Sequence, residues 1–64
     1  MSNYTQETLV TFMSAYDYGE PASTEWHASM REGAADFIEA YGLVPSEAKI
    51  RLLVNDYIKE TDQS

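Results

Sequence analysis

Two interruptions decide what this chain can fold into: Gly19-Glu20-Pro21 and, further on, Gly42 followed by Val44-Pro45-Ser46. Glycine supplies the left-handed residue that ends a helix, and proline cannot continue one. The chain is therefore cut into three segments, and each spaces its apolar residues as an amphipathic helix does. In the first, residues 5–18, Leu9, Phe12, Met13 and Tyr16 share a face opposite Glu7, Thr11 and Ser14, and the Thr5 hydroxyl stands where an N-cap is needed. In the second, residues 23–41, Trp26, Met30, Ala34, Phe37, Ile38 and Tyr41 form the apolar face, with Ser23 or Thr24 as cap and Gly42 as stop. Gly33 lies at the edge of that face at a cost of about 1 kcal/mol relative to Ala, which close packing against a neighbouring helix would explain better than a hinge. In the third, residues 46–61, Pro45 biases Val44 away from helix and Ser46 caps. Glu47 suits the first turn, and Ile50, Leu53, Val54 and Tyr57 line one side. The tail Asp62-Gln63-Ser64 is expected to fray. No strand pattern competes, and both connections are short, which makes consecutive helices neighbours. The expected fold is all-α, a compact three-helix bundle forming a single domain over residues 1–64.

Composition narrows the function classes. Sixty-four residues make one small domain with a folded surface of roughly 4,100 Å². The absence of cysteine excludes disulfides, thiolate zinc sites and thiol catalysis. Eleven acids against four bases, a formal net charge of −7, exclude a basic footprint for direct binding of nucleic acid. The N-terminus has no basic stretch, and Leu52-Leu53-Val54 is too short an apolar run for a signal segment or a membrane span, so a cytoplasmic protein is expected. The sequon Asn3-Tyr4-Thr5 is read as chance. His27, the single histidine, falls among apolar residues of the second helix and is expected to be a packed, hydrogen-bonded core or boundary residue. No metal site and no cofactor are expected, because carboxylates alone lack suitable ligand spacings. Nor is an enzyme expected: no nucleophile elbow, phosphate-binding glycine loop or EF-hand spacing occurs, and the carboxylates should lie on an open, wet face.

That face is the most informative feature. On the wheel of the second helix, Glu25, Glu32, Asp36 and Glu39 fall within roughly 60° of one another, away from the apolar side, over about 21 Å of helix. Asp17 and Glu20, in the turn before it, are expected to lengthen the stripe. The like-charged pairs Glu32/Asp36 and Asp36/Glu39 each cost a helix about 0.2–0.5 kcal/mol, and Arg31 points elsewhere. Residues 1–45 hold seven acids and one base, so the charge is segregated as well as large. Carboxylates a few ångströms apart along the axis approximate the spacing of phosphates on a strand. Reversing Glu32 and Asp36 to Lys should then abolish partner binding and leave helicity intact.

A short, cysteine-free, strongly acidic helical chain with a one-sided carboxylate array resembles the small acidic phage-encoded anti-CRISPR proteins, in particular inhibitors of type I-C surveillance complexes. The resemblance is one of size, charge and architecture over the whole chain. It implies a stoichiometric, monomeric inhibitor in the host cytoplasm that binds a basic DNA-binding protein, a subunit of a type I CRISPR surveillance complex, and blocks target DNA. The alternative is a small helical interaction or regulatory module, antitoxin-like or an accessory subunit. It would use an apolar patch near Leu52, opposite the core face of the third helix, or Tyr18 at the margin of the first.

Overall fold

The computed structural model describes residues 4–20 and 23–61. Helix α1 spans Gln6–Met13 and runs into a 3-10 turn at Ser14–Tyr16; α2 spans Thr24–Ala40 and α3 spans Glu47–Thr61. All three helices pack against one another, and the Cα radius of gyration is 10.8 Å, against about 10.7 Å expected for a domain of this length. The accessible surface, 4187 Å², is also what the chain length implies. The all-α three-helix bundle read from the sequence is the fold observed.

The caps explain where the helices begin. The Thr8 N–H donates to Thr5 Oγ1 at 3.1 Å, Trp26 N–H to Ser23 Oγ at 3.1 Å and Lys49 N–H to Ser46 Oγ at 3.0 Å, each satisfying an otherwise unpaired first-turn donor. Helix α2 stops as its glycine requires. Gly42 takes φ +66°, its N–H bonds the Glu39 carbonyl, and the Leu43 N–H bonds the Ile38 carbonyl, which together form a Schellman motif.

The end of α1 departs from the sequence reading. The α-helix stops at Met13 instead of continuing to residue 18, and the chain tightens through Ser14–Tyr16 before Gly19 turns it at φ +86°. Two local bonds favour the tighter winding: the Ser14 hydroxyl donates to the Thr11 carbonyl at 2.8 Å, and the Asp17 N–H donates to the Ser14 carbonyl at 3.2 Å. The 3-10 turn also lays Tyr16 along α2. Ser29 Oγ donates to the Tyr16 carbonyl at 2.6 Å, and a Cβ added to Gly33 would meet the Tyr16 ring at 2.7 Å. The expected close approach at Gly33 is thus real, and its partner is a tyrosine in the turn.

The core is built from Leu9 and Met13 of α1, Trp26, Met30, Ala34, Phe37 and Ile38 of α2, and Leu53, Val54 and Tyr57 of α3. Phe37 is its aromatic centre. Tyr41 stacks on it at 4.4 Å between ring centroids, while Tyr4 and Phe12 meet it edge-on at 4.8 and 5.2 Å, the arrangements ring quadrupoles favour. The tail expected to fray, residues 62–64, lies outside the described residues, as do Asn3 of the sequon and Pro21.

Candidate functional site

Helix α2 buries the arc from Ser29 through Ile38, and the stripe stands beside that arc. Glu25, Glu32 and Glu39 are exposed, as is Glu20 in the preceding turn. The Glu25 carboxylate folds back over that turn, with Oε1 3.8 Å from the place a Cβ on Gly19 would occupy. Arg31, about 100° round the helix from Glu32, pairs with Glu47 of α3 at 2.5 Å, so the one base of α2 is drawn away from the stripe.

Two of the sequence-designated acids do other work. Asp36 is half-buried and accepts the Tyr16 hydroxyl through Oδ2. That bond pushes the Tyr16 phenol above its usual value, with partial burial and the negative charges of Asp36 and Glu32 acting in the same direction. Reversing Asp36 to Lys would break this contact as well as change the charge, so it is not a clean test of the stripe.

Asp17, expected to lengthen the acidic face, turns inward instead. Its Oδ1 accepts the Trp26 indole N–H at 2.7 Å and its Oδ2 accepts the Tyr57 hydroxyl at 2.6 Å. Two aromatic side chains that bury their rings bring polar tips needing an acceptor, and the carboxylate in the turn supplies it to both. Burial first, then this hydrogen bond and the Asp17 charge, raise the Tyr57 phenol well above its ordinary range. Of the six acids read as the stripe, Glu20, Glu25, Glu32 and Glu39 are therefore the exposed ones, with Asp36 at their inner edge; Glu7, Glu47 and Glu60 are exposed on the other helices.

His27 is exposed rather than packed, its ring edge-on to Trp26 at 5.1 Å. The wheel treats every turn of α2 alike. At the first turn the covered side is set by the Asp17 bond to Trp26, and His27, one 100° step beyond, is left outside. Among the described residues, no three His, Cys, Asp or Glu side chains are grouped so that they could hold a metal ion, and no helix is long and apolar enough to cross a membrane.

The C-terminal end of the stripe opens into a cleft of about 480 Å³ lined by Ala35, Asp36, Ile38, Glu39, Gly42, Leu43 and Pro45. Leu52 on the outer side of α3 is 49% exposed, as its position on the wheel implies, and Tyr18, in the turn after the 3-10 segment, is 57% exposed. Ser29 escaped the sequence reading. The signal for it was the run of small residues Ser29 and Gly33 one helical turn apart, followed by Asp36 on the same side, which together receive Tyr16. Set against protein families, curated proteins and solved structures, the chain has no significant match in any of the three.

Proposed function

We propose that this protein is a stoichiometric inhibitor that lays the carboxylate face of α2 against the basic groove of a DNA-recognising protein and keeps DNA out of it. The observation that carries this reading is the row of exposed Glu25, Glu32 and Glu39, with Arg31 withdrawn to Glu47. A groove built to attract a polyanion is steered toward such a face, and a docked bundle occludes it. The likeness in size, charge and helical architecture to small anti-CRISPR proteins names the first target: a DNA-binding subunit of a type I surveillance complex, type I-C first, met in the host cytoplasm. In this reading the protein acts as a monomer without catalysis, cofactor or metal.

The test is capture of a purified type I-C surveillance complex at low and high salt, followed by competition with target DNA. Capture that weakens with salt and prevents DNA binding is the expected result. The variant Glu25→Lys/Glu32→Lys/Glu39→Lys, which spares Asp36 and its tyrosine, should keep its helicity and lose capture. Undiminished capture by that variant overturns the reading.

The exposure of Leu52 favours one other reading, a helical interaction module that docks through the outer side of α3. It requires binding or self-association that depends weakly on salt and is lost in Leu52→Asp. Sedimentation as a strict monomer removes its homodimeric form.

A further inference from the structure

The acids of α2 differ in their surroundings. Asp36 and Glu39 rim the cleft at the end of the helix, whereas Glu25 and Glu32 take no part in it. The floor and far wall are products of the Schellman turn. Gly42 at φ +66° reverses the chain, bringing Leu43 back beside Ile38, with Pro45 closing the side. An open cleft with apolar side chains on one side is thus bordered by Asp36 and Glu39, at the helix end where the backbone dipole is negative.

We propose that this cleft receives an arginine side chain of the basic partner, the methylene stem lying against Ile38, Leu43 and Pro45 and the guanidinium meeting Asp36 and Glu39. The inference rests on the reading of α2 as a face for a basic protein, and it names what that protein must present. Charge complementarity selects a cation. The apolar side chains and paired acceptors select arginine over lysine, because the guanidinium is planar, weakly hydrated and able to address two carboxylate oxygens at once, whereas an ammonium is compact and strongly hydrated. Asp36 is prepared for the role. Its bond from Tyr16 uses one acceptor position and fixes the side chain, and the carboxylate retains others. The neighbouring bases of this chain are engaged elsewhere, Arg31 with Glu47 and Lys49 over the Tyr4 ring at 5.9 Å.

The experiment is an NMR titration of the ¹⁵N-labelled protein with the blocked tripeptide acetyl-Gly-Arg-Gly-amide, and with the same peptide carrying lysine or the neutral isostere citrulline. Saturable shifts confined to Ala35, Ile38, Glu39, Gly42 and Leu43 are expected with arginine, binding about tenfold weaker with lysine, and none with citrulline. Two variants separate charge from shape. Glu39→Gln removes a carboxylate, and Ala35→Phe, at an exposed position, fills the mouth and leaves the charge unchanged; each should weaken the arginine peptide about tenfold, with an unaltered helical spectrum. Equal shifts at Glu25, Glu32 and Glu39 with arginine and lysine alike, or full binding by Ala35→Phe, overturn the inference. An arginine-binding cleft on a protein that captures no basic DNA-binding target would overturn the inhibitor reading alone. Capture with a silent cleft would overturn the cleft alone.

Discussion

Asp17 bonds in two directions, to the indole of α2 and to the phenol of α3. Asp17→Ala leaves both donors without their acceptor inside the bundle, and a loss of about 3 kcal/mol is expected from urea unfolding. Asp17→Asn keeps one acceptor oxygen but turns an amide toward the other donor, so it should lose less. Gly33 behaves in the opposite way from its propensity. Gly33→Ala gains about 1 kcal/mol of intrinsic helix preference, yet its new Cβ would sit 2.7 Å from the Tyr16 ring. Net destabilisation is expected, and in a Tyr16→Gly background, which removes the ring and also the Tyr16 Cβ that would lie 3.1 Å away, the same substitution should stabilise, a reversal that a double-mutant cycle reads directly. The two raised phenols set the alkaline limit. Below about pH 10 both are protonated whether the chain is folded or unfolded; above it the unfolded chain releases protons that the folded chain retains, so stability falls as pH rises through the folded values. Phenolate absorbance should show Tyr16 and Tyr57 ionising only above the ordinary phenol range, and Tyr57→Phe should blunt the alkaline loss of stability.

Among the elements, α1 is the dependent one. Its eight residues fall short of the roughly 12–15 at which an isolated helix becomes even marginal in water, so a peptide of residues 4–20 should be coil by circular dichroism. Leu9 and Met13, both fully buried, hold it in place, and Leu9→Ala should cost about 2–5 kcal/mol, as should Phe37→Ala or Leu53→Ala in the other helices. The helices themselves were legible because caps, glycine stops and apolar spacing agree at Thr5, Ser23, Gly42 and Ser46, all local signals. The end of α1 was not legible. Phe12, Met13 and Tyr16 fit a continuous helical face, and what ends the helix is the docking of Tyr16 over Gly33, a tertiary demand, together with the local bonds of Ser14 that favour the tighter turn. For the same reason the wheel placed Glu25, Glu32 and Glu39 correctly on an open face but could not see that Asp17 and Asp36 answer to aromatic hydroxyls and an indole from distant parts of the chain.

At the scale of the whole molecule, seven units of net negative charge and a row of like-charged neighbours oppose compaction. Glu32→Gln should therefore stabilise the fold by about 0.2–0.5 kcal/mol at low salt, an advantage that salt screening removes, while weakening capture of a basic target. A gain in midpoint paired with a loss of binding would mark that carboxylate as retained for recognition. The bond that turns Asp17 inward also has an optical consequence. The chain holds one tryptophan, 1% exposed, and its indole N–H ends on the carboxylate shared with Tyr57. Its emission colour therefore reports the junction of the turn, α2 and α3 without any attached dye, and a red shift marks the moment water reaches that junction. Followed alongside far-ultraviolet ellipticity, which sums over every helix, it offers a direct check that the bundle comes apart in one step.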